Sequence, residues 1–181
     1  MNIVAVSGSL RVKSLKTALV RACQKLAPDM QIEILDIGTL PLFNQDLETD
    51  FPAAAAALKA KIQAAEGVII ATPEFNRTPP GPLKNFLDWT SRPDGEPLVW
   101  ANKPVAIFGS SSGARGASFA QYDIRRIMSY FNAHTMQQPE LYIGNNKEKF
   151  DVNLELTDPK TTEQLTKFLN AFKTHVAAQK A

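Results

Sequence analysis

The sequence predicts a doubly wound α/β fold around a five-stranded parallel sheet. Three short apolar runs, at residues 3–6, 68–71 and 105–108, show no alternation with polar residues. Strands covered by helices on both faces have that pattern, because neither side of the sheet meets water. Between the runs, apolar residues recur at helical spacing, so strands and helices alternate along the chain.

The elements follow in order. Residues 3–6 form the first strand. Leu15, Leu19, Ala22, Cys23 and Leu26 then share one helical face, and Pro28 follows its end. Residues 32–37 alternate more and fit a strand nearer the sheet edge. Residues 54–65 are rich in alanine, a strong helix former, with Leu58 and Ile62 one turn apart. The third strand, 68–71, precedes a short helix that Leu83, Phe86 and Leu87 begin after Pro82. The fourth strand, 105–108, precedes the stripe Ala120, Ile124, Ile127, Met128 and Phe131. A weaker fifth strand is expected around 139–143, and Leu165, Phe168, Leu169 and Phe172 mark the last helix. These stripes are core-facing surfaces. Five strands so spaced point to the flavodoxin-like order 2-1-3-4-5, with helices on both faces. Two loops, 38–51 and 91–102, are long and carry prolines, and long loops in compact domains are often functional.

A chain of 181 residues is expected to form one domain, 1–181. Its single cysteine, Cys23, has no internal disulfide partner; it fits a packed small residue in a reducing compartment. The net charge of +2 is spread with mixed signs, and no aromatic residues interleave with a basic stripe, so nucleic-acid binding is not expected. No stretch approaches the roughly 20 apolar residues of a membrane span. The first residues lack a basic segment and a signal-length apolar run. A cytoplasmic protein is the expectation.

In open α/β sheets ligands bind beyond the carboxyl ends of the strands, at the topological switch point. In the order 2-1-3-4-5, strands 1, 3 and 4 are adjacent. Ser7-Gly8-Ser9-Leu10-Arg11-Val12-Lys13-Ser14, Thr72-Pro73-Glu74-Phe75-Asn76-Arg77 and Gly109-Ser110-Ser111-Ser112-Gly113-Ala114-Arg115-Gly116 should therefore converge on one edge. The first loop has the chemistry of a phosphate site. Its hydroxyls donate, the following helix presents backbone N–H groups and a favourable dipole, and Arg11 can pair with a dianion. The bland alternative makes Ser14 an N-cap and Arg11 a solvated surface residue. The loop matches neither a P-loop nor the dinucleotide fingerprint, because Gly8 stands without partner glycines; Asp36 is discounted as a ribose ligand for the same reason. A monophosphate fits better than a diphosphate. Glu74 is the only carboxylate of the second loop, and His134 and His175 lie far off without other plausible metal ligands. An active site without side-chain catalysts points to a cofactor that carries the chemistry.

These residues resemble the NADPH-dependent FMN reductase family, which includes quinone, azo-dye and chromate reductases. Gly8-Ser9-Leu10-Arg11 with Ser14 carries the first part of the match. The second runs from Thr72-Pro73-Glu74-Phe75-Asn76 through Pro80-Gly81, Leu83-Lys84-Asn85 and Asp88-Trp89 to Ser91-Arg92-Pro93. The third is residues 109–116 with Ala120-Gln121. The resemblance implies that Ser9, Arg11 and Ser14 hold an FMN phosphate. It implies that Pro73, Glu74, Phe75 and Asn76 line the isoalloxazine ring, largely through backbone groups. Ser110, Ser111, Gly113 and Arg115 would border the flavin from the other side. The sequence departs from the family pattern at Lys16, where Asn is common, at Phe75, where Tyr is usual, and at Phe119, where an Arg commonly stands. Lys16 can still meet phosphate as a point charge.

The expected activity is hydride transfer from NADPH or NADH through bound FMN to a quinone, azo compound, metal oxyanion or free flavin. Donor and acceptor would take turns in one space, giving ping-pong kinetics. A modest NADPH preference would rest on Arg77 or Arg115. The rival readings are a non-enzymatic flavodoxin-type electron carrier, less apt for a slightly basic chain, and a scaffold that has lost the flavin. A homodimer or homotetramer is expected, because Phe86, Trp89 and Trp100 give the segment after the second loop more aromatic surface than one helix face easily buries.

Overall fold

The computed structural model describes residues 1–92 and 98–179; Pro93 of the second motif and residues 93–97 of the 91–102 loop lie outside the described residues. The order is β1 (Asn2–Ser7), α1 (Leu15–Leu26), β2 (Gln31–Leu35), α2 (Ala53–Ala64), β3 (Gly67–Thr72), α3 (Gly81–Thr90), β4 (Pro104–Ser110), α4 (Ser118–Tyr130), β5 (His134–Thr135), β6 (Leu141–Ile143) and α5 (Pro159–Ala178). Short 3-10 turns occupy Gln45–Glu48 and Asn146–Lys149.

The sheet is parallel in the order β2-β1-β3-β4-β5, as the sequence predicts. The fifth position is split. Residues 134–135 pair with the start of β4 and residues 141–143 with its end, so the expected strand at 139–143 supplies only half of that edge.

Pleating sends alternate residues of each strand to opposite layers. Ile3, Ala5, Ile69, Ala71, Ala106 and Phe108 pack with α1 and α5 residues such as Leu19, Phe168 and Phe172. Val4, Val6, Val68, Ile70, Val105 and Ile107 pack with α2, α3 and α4 residues such as Ile62, Phe86 and Ile124. Both layers exclude water, which is why β3 and β4 show unbroken apolar character.

The aromatic surplus near α3 is core, not surface. Phe86, Trp89 and Trp100 are fully buried. The Trp89 indole N–H donates to the Pro41 carbonyl at 2.8 Å and that of Trp100 to Thr90 Oγ1 at 3.0 Å, so both polar tips find partners inside. The aromatic argument for an interface at these residues is therefore corrected.

Candidate active site

The carboxyl ends of β1, β3 and β4 lie side by side, so the chain leaving them gathers at one sheet edge. A cleft of about 190 Å³ opens there. The first loop contributes Ser9, Arg11, Ser14 and Lys16 to its wall, and the second contributes Pro73, Glu74 and Phe75. Ser110 and Ser111 enter from the third loop. Asn76, Gly113 and Arg115 are exposed and do not line this cleft.

Gly8 lets the first two loops close on each other. A Cβ there would come within 3.0 Å of Pro73 Cδ and 3.1 Å of Pro80 Cγ and Leu83 Cδ2. Ser14 is the N-cap of α1, its Oγ accepting from the Thr17 N–H at 3.2 Å. That use leaves its own O–H proton for the cleft, so capping and phosphate binding are compatible. The first amides of α1, on Leu15 and Lys16, have no intrahelical acceptor and sit at the same wall.

Arg11 and Lys16 approach each other there. Burial, and then the Arg11 charge, pull the Lys16 pKa below the usual lysine range. Among the described residues neither cation forms an ion pair. Two hydroxyls, two unpaired cations and a helix N-terminus make a donor set suited to a phosphate monoester dianion.

In the second loop the Thr72 hydroxyl donates to the Pro73 carbonyl at 2.6 Å. Phe75 and Thr78 exchange two backbone hydrogen bonds of 3.1 Å around Asn76 (φ 53°) and Arg77 (φ 68°), a tight turn with both central residues left-handed. The Glu74 carboxylate turns away to the first turn of α4, where its Oε2 accepts from Phe119 N–H at 2.9 Å and Ala120 N–H at 3.2 Å.

The third loop doubles back over the end of β4. A Cβ on Gly109 would lie 2.5 Å from the Gly116 carbonyl oxygen, and Gly116 itself has φ of +58° against Tyr142. Beyond the sequence-derived set, Asn146 and Lys147 complete the cleft wall. Asn146 is buried and its Nδ2 donates to Ser110 Oγ at 2.6 Å, while its backbone N–H donates to the Ser111 carbonyl at 3.1 Å. Gly144-Asn145-Asn146 follows a strand ending at the same sheet edge, which was the available signal.

Other candidates stay apart from this cleft. Asp36 lines an adjoining groove that shares Ser9 and Arg11 with the cleft, and it accepts from the Gly38 N–H at 2.9 Å. His175 Nε2 lies 2.7 Å from the His134 carbonyl oxygen, and His134 pairs with the amino end of β4, opposite the cleft. Among the described residues no group of three His, Cys, Asp or Glu side chains could hold a metal.

The NADPH-dependent FMN reductase family matches residues 1–148. A 2-hydroxy-1,4-benzoquinone reductase from a Burkholderia species is 43% identical over 173 residues, covering 95% of this chain and 94% of that protein. FerB of Paracoccus denitrificans, a flavoenzyme NAD(P)H:(acceptor) oxidoreductase, superposes with a TM-score of 0.90 at 36% identity, covering 98% of each chain. Oxidised flavodoxin 1 from Bacillus cereus, at 14% identity and a TM-score of 0.64, covering 97% of this chain and 99% of that chain, shares the fold.

Proposed function

This chain belongs to the NADPH-dependent FMN reductase family, and on that premise we propose that it is an FMN-dependent NAD(P)H oxidoreductase with quinones as its acceptor class. The observation that carries the reading is the unpaired Arg11–Lys16 pair at the N-terminus of α1, in one cleft with Ser9 and Ser14. When bound, FMN supplies the hydride and electron transfer between donor and acceptor.

The chain's own residues bind and orient. Ser9, Arg11, Ser14 and Lys16 take the phosphate. Pro73, Phe75 and the backbone at Glu74 wall one side of the cleft, and Ser110 and Ser111, held by Asn146, wall the other. Glu74, a carboxylate of the cleft wall, is engaged by the first turn of α4. A relative named for 2-hydroxy-1,4-benzoquinone supports quinones over the other acceptors. Reductase names among relatives more than a third identical favour an enzyme over a flavodoxin-type carrier, whose likeness here is one of fold.

The reading extends to a single domain over 1–181, a cytoplasmic setting and a homodimer or homotetramer. The single cysteine, Cys23, is a free thiol, which suits a reducing compartment. Exposed Tyr122 and Tyr130 on α4 support self-association, which light scattering at micromolar concentration decides.

The purified protein is expected to be yellow, to release FMN on acid treatment, and to oxidise NAD(P)H in proportion to added benzoquinone with parallel double-reciprocal lines. Colourless protein that FMN cannot reconstitute, or a released chromophore that is FAD, overturns the reading.

A further inference from the structure

The second loop places one cation where the flavin phosphate has no use for it. Arg77 sits at the second central position of the turn closed by Phe75 and Thr78, with φ of 68°. A long side chain rarely adopts that backbone, and residues held there cluster at functional sites. Its guanidinium carbon lies 4.8 Å from the centroid of the Phe119 ring. Phe119 is fixed in turn, because its N–H donates to Glu74 at 2.9 Å, and Glu74 and Phe75 line the cleft. The stack is therefore tied to the cleft wall twice, by the chain through Phe75 and by the Phe119–Glu74 bond, which puts it at the cleft rim.

Stacking covers one face of a guanidinium and leaves its five N–H donors in the plane. Those of Arg77 meet no carboxylate among the described residues. The acid beside the next residue, Asp123, is engaged by Thr78 Oγ1 at 3.1 Å and by Arg126 Nη2 at 3.3 Å. Other arginines are committed elsewhere: Arg92 to Glu48 and the Phe43 ring, Arg125 to Glu140 and the Met136 carbonyl. Arg115 is exposed on the third loop, with no ring beneath it among the described residues.

NADPH and NADH differ by one phosphate, so one preset guanidinium can decide between them. We propose that Arg77, laid on the Phe119 ring at the rim of the cleft, recognises the 2′-phosphate of NADPH and sets the donor preference. The assignment rests on the FMN-dependent oxidoreductase reading.

The test uses FMN-loaded protein and two readouts, calorimetric titration with NADP+ and NAD+ and the ratio of kcat/KM for NADPH over NADH. Arg77→Ala is expected to weaken NADP+ binding relative to NAD+ about tenfold or more, and to lower the kcat/KM ratio equally. Arg77→Gly, which suits the left-handed backbone, should do the same without loosening the turn. Arg77→Lys should recover part of the ratio and Phe119→Ala lose part of it. An unchanged ratio in FMN-loaded Arg77→Gly, or a ratio that collapses in Arg115→Ala or Lys147→Ala instead, overturns the assignment. Protein that takes up no FMN is recognised before any nicotinamide is added; it removes the underlying reading, and this inference with it.

Discussion

The backbone N–H of Phe119 donates to Oε2 of Glu74 at 2.9 Å, and that of Ala120 reaches the same oxygen at 3.2 Å. Helix α4 needs this help. Its N-cap is Ala117, left-handed at φ 62°, with no side-chain acceptor of its own. A carboxylate from the loop after β3 thus caps the helix after β4, with the helix dipole adding to the attraction. The bond ties a wall of the cleft to the helix that follows the third loop, and it occupies the carboxylate that sequence alone left as a lone acid in the second loop.

Glu74→Ala should therefore destabilise the flavin-free protein by about 1 kcal/mol, the usual scale of a lost helix cap. Glu74→Gln keeps an acceptor oxygen and loses the charge, so it should cost about half as much. Urea denaturation of both variants against the wild type measures this. FMN affinity should fall in Glu74→Ala as well, because the second and third loops are no longer tied.

The Lys16 charge has a pH signature. Burial, and then Arg11, lower its pKa from the ordinary 10.5 in the flavin-free protein. The sign follows from the charged form being disfavoured. At neutral pH the folded chain carries a penalty for protonated Lys16, and that penalty is relieved as pH rises from the lowered pKa to the unfolded value of 10.5. Lys16→Met should stabilise the flavin-free protein at pH 7. A phosphate reverses the preference, so FMN binding should weaken as pH rises from the lowered pKa towards 10.5, and this dependence should vanish in Lys16→Met. Arg11→Ala should weaken binding about tenfold to a hundredfold at every pH, the cost of a lost charge-assisted contact. Fluorescence quenching of FMN across pH separates the two cations.

Asn146 holds the third loop from behind. Its Nδ2 donates to the buried Ser110 hydroxyl at 2.6 Å, and its backbone N–H supports Ser111. With its oxygen already accepting from Asn146, the Ser110 O–H proton is turned towards another acceptor. Asn146→Ala should cost about 1–3 kcal/mol, the penalty of leaving a buried partner unsatisfied, and should lower FMN affinity. Thermal melts with and without FMN measure both effects. A variant with wild-type melting and affinity would leave Asn146 a bystander.

Much of this arrangement was legible because burial on both faces gives β1, β3 and β4 an unmistakable apolar run, and their adjacency brings the Ser9, Pro73 and Ser110 loops together. The split fifth strand was not. Between its halves the Arg125 guanidinium, arriving from α4, donates to the Met136 carbonyl at 2.9 Å and lies 3.7 Å from Glu140, so a helix side chain replaces strand pairing there. Asn146 was missed because its partner Ser110 is 36 residues away and no local pattern announces such a bond. Trp89 and Trp100 misled for a related reason. Their acceptors, the Pro41 carbonyl and Thr90 Oγ1, become neighbours only after the chain has folded.

The long loop after β2 is held by a residue of the second motif that never reaches the cleft. Asn85 accepts from the Phe43 N–H at 2.7 Å through Oδ1 and donates to the Pro41 carbonyl at 2.9 Å through Nδ2. The Pro41 carbonyl also receives the Trp89 indole, and the Trp89 ring meets Phe43 and Phe51 edge-on at 4.9 and 5.4 Å. Side chains of α3 thus replace the sheet or helix bonds this irregular segment lacks. Asn85→Ala removes both amide contacts and should destabilise the protein by about 1–3 kcal/mol, mostly by leaving the Phe43 N–H without its acceptor, since the Pro41 carbonyl keeps the Trp89 indole. Asn85→Asp keeps the acceptor for Phe43 and loses the donor to Pro41, so it should fall between Asn85→Ala and the wild type. Hydrogen exchange gives the sharper reading: the Phe43 amide should lose protection in Asn85→Ala while the amides of β3 keep theirs. Equal loss in both places would mean that Asn85 supports the whole fold and has no particular hold on this loop.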